Sequence, residues 1–154
     1  MTFAEAYEKF FDGDKFMHVA ITNIDPNTGK KSATEIKTPF DVEKHLAEEI
    51  IQGKSNVDMD RKACLWNGWD IDQEMPEEEM GRHSFIVNPE LFPFKSTNGR
   101  WHLYLHFDDW TPVNEAYELR NSYIKKFKDL GWVVDKNKCL PVSWNFEKGR
   151  PGAV

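Results

Sequence analysis

The chain of 154 residues suits one domain, with room for a real core but not for two. Apolar residues make up 40% and aromatics 14%, which excludes a disordered chain, and no stretch approaches the length of an apolar membrane span. The net charge of −6 excludes a generic basic coat for nucleic acid, but residues 1–92 carry 10 Lys+Arg against 19 Asp+Glu while residues 93–154 carry 10 against 7, so the second part can still present a local anion site.

The N-terminal stretch lacks a basic segment followed by an unbroken apolar run, so it does not read as a signal peptide. Its Phe3, Tyr7, Phe10 and Phe11 fall at helical spacing. "FMHVAIT" (16–22) and "ATEIKTPF" (33–40) read as strands around the turn-rich "NIDPNTGKKS", which predicts a hairpin over 16–38. "DVEKHLAEEIIQG" (41–53) reads as a helix, with Asp41 as N-cap and Gly53 as its stop. "KSNVDMDRK" reads as a loop and "ACLWNGWDID" (63–72) as a strand.

Residues 73–83, "QEMPEEEMGRH", read as a solvated acidic loop. "SFIVNPELFPFK" (84–95) reads as extended and broken by Pro89 and Pro93. The Asn-Gly turn in "STNGR" then leads into the alternating "WHLYLHF" (101–107), a strong hairpin signal. A long helix follows over 111–131, with Thr111 as N-cap, Pro112 in the first helical position and Gly131 closing it. Its apolar stripe includes Val113, Ala116, Leu119, Tyr123, Phe127 and Leu130. "WVVD" (132–135) reads as a short strand and the tail as loop.

The mixture of hairpins and helices predicts an α+β fold with a mostly antiparallel sheet. The apolar run beginning at "GAV" leads to the expectation that the chain is a piece of a longer protein. Cys64 and Cys139 are far apart and form no CxxC pair, which argues against a zinc site or disulfide framework and for buried thiols in a reducing cytoplasm.

Three features carry chemistry. Asp70 and Asp72 lie one residue apart on a strand, so both carboxylates project from one face while Ile71 turns into the core. Two carboxylates on one face suit Mg²⁺ or Mn²⁺, which prefer oxygen ligands, and paired ions serve phosphoryl transfer. In "FKSTNGRWHLYLHF", His102, Tyr104 and His106 alternate onto one face; Lys95 and Arg100 flank the turn, and Gly99 lets backbone amides approach an anion. A structural role is the expectation for His83 and His106. Asp135 ends an apolar strand and gains meaning only if that strand adjoins the one bearing Asp70.

Taken in order, "WDID", "KSTNGRWHLYLHF", "PVNEAYELRNSYIKKF" and "VVD" resemble the motifs of the archaeo-eukaryotic primase superfamily, of the phage and plasmid type, over residues 63–154. The resemblance implies an RRM-like catalytic unit at 63–154, an N-terminal α/β unit at 1–62 that handles template, and a single primase-polymerase domain over 1–154. It implies that Asp70, Asp72 and Asp135 bind catalytic Mg²⁺ or Mn²⁺ and that His102 contacts the phosphates of an NTP or dNTP, with Arg100, Lys95, Ser96 and Asn98 as further nucleotide contacts. Arg100 stands where the family often has Ser. The implied activity is nucleotidyl transfer on a single-stranded DNA template, with Trp101, Trp110 and Trp144 as candidate stacking residues, in the cytoplasm and alongside a helicase domain or partner. Two alternatives stay open. One is a replication-initiator nuclease using His102, His106 and Tyr117 or Tyr123; the other is a non-catalytic module that binds nucleic acid or protein.

Overall fold

The computed structural model describes residues 2–13, 17–37, 52–54, 56–96, 99–141, 144–145 and 150–151. Helix α1 (Phe3–Phe10) starts at a capping box. The Thr2 hydroxyl accepts from the Glu5 N–H at 3.1 Å, and the Glu5 carboxylate accepts from the Thr2 N–H at 3.2 Å. Strands β1 (Met17–Ile24) and β2 (Lys31–Lys37) form the expected antiparallel hairpin, closed by a turn in which Gly29 adopts φ +69°. Strand β3 (Gln52–Lys54) pairs with the other edge of β1, giving the order β2-β1-β3. Gly53 therefore lies in a strand and does not end a helix; the helix expected over 41–53 otherwise falls outside the described residues, apart from Gln52.

The second sheet contains the core. Its strands are β4 (Val57–Asp58), β5 (Ala63–Ile71), β6 (Phe92–Lys95) and β7 (Trp101–Pro112), all antiparallel, in the order β4-β5-β7-β6. On the inward face of β5 and β7, Trp69, Ile71, Trp101, Leu103 and Leu105 are buried, and the buried Asn67 donates to the Ala116 carbonyl at 2.9 Å. Helices α2 (Glu77–Val87) and α3 (Val113–Asp129) contribute to the same cluster through Met80, Tyr123, Ile124 and Phe127. Aromatic edges mesh there: Trp69 meets Tyr123 at 5.2 Å and Phe127 at 5.8 Å between ring centroids, and Phe127 stacks on Trp132 at 5.4 Å.

After α3 the chain returns to the edge of β5 that β4 pairs with only at Ala63 and Cys64. Val134 makes an antiparallel bridge with Ile71, and Leu140 makes one with Gly68. Between them Lys136–Lys138 forms a short 3-10 helix. Residues 63–135 thus follow a β-α-β-β-α-β order, with Val134 as the reduced last strand, consistent with the expected α+β, RRM-like unit. A two-stranded ribbon, β8 (Trp144–Asn145) with β9 (Arg150–Pro151), follows.

Several boundaries differ from the sequence reading for physical reasons. Of the acidic loop expected at 73–83, residues 73–76 are irregular and residues 77–83 form the start of α2. Pro76 caps that helix, and Glu77, Glu78 and Glu79 occupy its first turn, where negative charge favours the exposed N–H groups. The same helix takes up Ser84–Val87, which had read as extended. Thr111 does not cap α3. Strand β7 runs on through Thr111 and Pro112 because they pair with Cys64 and Ala63, and Pro112 takes the capping position without a side-chain bond. The loop expected at 54–62 contains β4, and the tail carries the 3-10 helix and the ribbon. In α3, Leu130 is exposed, although the rest of the expected stripe is buried or partly buried.

Both cysteines are buried free thiols, as expected. Among the described residues no helix is long and apolar enough to cross a membrane. Phe127 is wholly buried at the centre of the aromatic cluster, so Phe127→Ala is expected to cost about 3–5 kcal/mol of stability, read from urea unfolding.

Candidate active site

Directly opposed residues of antiparallel strands share a face, so the register places the candidate side chains. Asp70 is opposite His102 of β7, and His102 is opposite Phe94 of β6. On the other edge of β5, the Ile71–Val134 bridge puts Asp70 opposite Asp135. The Asp135 N–H donates to the Asp70 carbonyl at 3.0 Å, and the Asp72 N–H donates to the Val133 carbonyl at 2.8 Å. One row across the outer face therefore reads Phe94, His102, Asp70, Asp135. Two residues along lie Ser96, Arg100 and Asp72, with Ser96 and Arg100 closing the hairpin: the Ser96 N–H donates to the Arg100 carbonyl at 2.7 Å.

These rows border a cleft of about 400 Å³ lined by Asp70, Asp72, Ser96, Arg100, His102 and Lys138. Helix α1 packs beside Tyr104, which also lines the cleft. Phe10 packs on Tyr104 and His106, Phe11 packs on Tyr104 and Trp66, and the Trp66 indole donates to the Asp12 carbonyl at 2.8 Å. Gly68 forms part of the floor, where a Cβ would press on ring atoms of Trp66 and Tyr104 at 3.2–3.3 Å. Burial under α1, with smaller contributions from the charges of Tyr7 and Asp70, pushes the Tyr104 phenol up to about 12.

Each aspartate has a cationic or imidazole partner. His102 Nε2 lies 3.1 Å from Asp70 Oδ1, and Asp70 is only 14% exposed. The Tyr104 hydroxyl lies 3.3 Å from His102 Nδ1. A neutral imidazole protonated at Nε2 satisfies both contacts, accepting from Tyr104 and donating to Asp70. Arg100 pairs with Asp72. Asp135 lies 3.8 Å from Lys138 Nζ and caps the 3-10 helix by accepting from the Asn137 N–H at 3.2 Å.

Among the described residues no group of three or more His, Cys, Asp or Glu side chains is arranged to hold a metal ion. The backbone nonetheless brings three carboxylates to one face, and this oxygen-only donor set fits a hard divalent ion in chemistry. Binding one requires the carboxylates to exchange their side-chain partners for the ion.

Asp70, Asp72, Asp135, His102, Arg100 and Ser96 are thus neighbours. Lys95 is not among them: it is opposite Trp101, on the core-side face, with its ammonium 5.8 Å from the Trp101 ring. Asn98 lies outside the described residues. Trp101 is buried, its indole donating to the Met75 carbonyl at 2.9 Å, and Trp110 is half-buried beneath the Arg61 guanidinium. His83 stacks on Trp132 at 6.1 Å between centroids, and His106 packs on Phe10 at 5.2 Å.

Two residues were missed in the sequence. Lys138 lines the cleft in place of Lys95. Arg120 is only 3% exposed and holds the returning segment. Its Nε donates to the Cys139 carbonyl at 3.3 Å, Nη2 to the Lys136 carbonyl at 2.6 Å, and Nη1 to Asn121 Oδ1 at 2.6 Å. The signal was legible: an arginine at a core position of a helical stripe, between Ala116 and Tyr123, needs buried acceptors.

The sequence matches no protein-family model, and a comparison with curated proteins returns no relative.

Arg120→Met removes the donors to two carbonyls and is expected to cost about 1–3 kcal/mol. It should lower hydrogen-exchange protection at the Asp135 and Leu140 amides, which bond to β5, more than at amides inside the β5–β7 pairing. In a spectrophotometric titration at 295 nm, Tyr104 should ionise near pH 12. Because its folded pKa lies above the ordinary value of 10, stability should fall as pH rises from about 10 to 12. Phe10→Ala with Phe11→Ala should return the phenol toward its ordinary range.

Proposed function

We propose that this protein is a nucleotidyltransferase of the primase-polymerase type, dependent on a divalent metal and acting on single-stranded DNA with NTP or dNTP substrates. One observation carries the reading. Asp70 and Asp72 line the cleft with His102 and Arg100, and Asp135, separated from them in sequence by the whole hairpin and α3, pairs through its backbone with Asp70 on the neighbouring edge of β5. Agreement between this placement and the order of the four motifs supports it further.

In this reading Asp70, Asp72 and Asp135 hold Mg²⁺ or Mn²⁺, which when bound activates a 3′-hydroxyl and neutralises charge on the attacked α-phosphate and the leaving pyrophosphate. His102, Arg100 and Lys138 are the groups in reach of a triphosphate. Arg100 offers a planar fork suited to two phosphate oxygens. The Ser96 hydroxyl donates to the Arg100 carbonyl at 2.9 Å and accepts from the Arg100 N–H at 3.2 Å, which fixes the turn from which the guanidinium projects. The Tyr104–His102–Asp70 contacts set the imidazole's orientation. Charge balance favours exchange. As a triphosphate draws Arg100 and Lys138 away, Asp72 and Asp135 lose a counter-charge, and if His102 follows, Asp70 loses a hydrogen-bond donor; a divalent ion supplies the missing positive charge. A cytoplasmic setting, a phage or plasmid origin and a helicase domain or partner belong to the same proposal.

The nuclease alternative gains no comparable support: His102 is engaged by Asp70, and Tyr123 is buried, its hydroxyl accepting from the Asn88 side-chain amide at 3.0 Å.

A primer-synthesis assay on single-stranded DNA with Mg²⁺ or Mn²⁺ tests the proposal. Asp70→Asn and Asp135→Asn should each lower kcat roughly a hundredfold or more. His102→Ala should chiefly raise the KM for the triphosphate. Full activity in Asp70→Asn would overturn the reading.

A further inference from the structure

The sequence offered tryptophans as stacking residues, and the structure withdraws Trp101 into the core. In their place, edge strand β6 presents two phenylalanines. Phe92 is 53% exposed and Phe94 is 56% exposed, although each would be expected to seek burial. The register puts them on the cleft face, Phe92 opposite Tyr104 and Phe94 opposite His102. Phe92 also meets Phe10 at 6.1 Å between centroids, so the aromatic surface continues from α1 along the rim of the cleft. Phe94 stands between this aromatic row and the row of Ser96 and Arg100.

We propose that Phe92 and Phe94 form a base-stacking platform for single-stranded nucleic acid, with the adjoining phosphates directed toward Arg100 and Lys138. The inference rests on the nucleotidyltransferase reading and names where its template lies. Three observations select this occupant. An aromatic ring beside a guanidinium matches the alternation of base and phosphate along a strand, which stacking grooves exploit. The platform leads directly through His102 to Asp70, so a strand lying on it passes the carboxylate row. A second copy of the chain adding to the sheet edge is disfavoured, because Pro93 deprives this four-residue strand of a backbone donor.

The test measures binding of a fluorescent twelve-residue oligothymidylate and of an abasic oligomer with the same number of phosphates, by anisotropy at fixed salt. The wild-type chain should bind the oligothymidylate about tenfold or more tightly than the abasic strand. Phe94→Ala, and more so Phe92→Ala with Phe94→Ala, should reduce the oligothymidylate to the abasic level, whereas Phe94→Trp should retain it. Both positions are exposed, so the fold should tolerate these changes, as circular dichroism will show. Equal binding of the two oligomers, no binding of either, or unchanged binding by Phe94→Ala would overturn the platform. So would a self-association, seen by sedimentation, that Phe94→Ala abolishes. Triphosphate binding with Mn²⁺, measured by calorimetry on the same samples, separates the two proposals. Triphosphate binding without base dependence leaves the enzyme reading and removes the platform; base dependence without triphosphate binding does the reverse.

Discussion

Burial of Ile71 sets the phase of the whole site. It is opposite Trp101 on one side and Val134 on the other, and all three lie in the core cluster. Strand side chains alternate strictly, so an inward Ile71 requires outward Asp70 and Asp72. A slip of one residue would drive both carboxylates into an aromatic interior and expose the isoleucine, at a cost that strongly specifies the register. The same three-residue row ties β7 and the returning segment to β5, so His102 and Asp135 arrive beside Asp70 from opposite directions. Packing in the core and chemistry on the surface are two consequences of one periodicity.

On the outer face every carboxylate of the row has a polar partner. Three aspartates crowded on one face would repel one another, and each instead has a partner: His102, Arg100 or Lys138. Partly exposed pairs of this kind contribute little to stability and exchange readily, which suits groups that must change partners. The rigid component lies behind them. Arg120 reaches from α3 to the carbonyls of Lys136 and Cys139, and so fixes the segment bearing Asp135 and Lys138 through buried hydrogen bonds. Exchangeable ion pairs on a fixed backbone suit the proposed binding of a triphosphate.

Much of this was legible in the sequence. Alternation in "WHLYLHF" and the Asn-Gly turn gave the β6–β7 hairpin and the shared face of His102 and Tyr104, because a half-buried strand must alternate. The α+β architecture followed from the mixture of periods. Charge misled at Glu77–Glu79, where a run that resembled a solvated loop is the favourable first turn of α2. The end of β7 was hidden because Thr111 and Pro112 resemble a helix start, and only pairing with Cys64 and Ala63 keeps them in the sheet. For Lys95, counting residues from the turn could not decide the face; its pairing with Trp101 does. The approach of Asp135 to Asp70 depends on a single bridge residue, Val134, between segments more than sixty positions apart, and no local pattern encodes it.

Helix α1 covers only part of the outer face. Phe10 and Phe11 pack on Trp66, Tyr104 and one side of His106, while on their far side Phe94 is exposed and His102 and Asp70 line the cleft. Asp70 and His102 therefore stand at a dielectric boundary, with a low-polarity wall on one flank and water on the other. Fields from the carboxylates are screened weakly toward the helix and strongly toward the opening, so an approaching ion meets an electrostatic gradient with a fixed direction. The placement of a short amphipathic helix thus gives one flank of the outer face an apolar wall, which the sheet alone would lack.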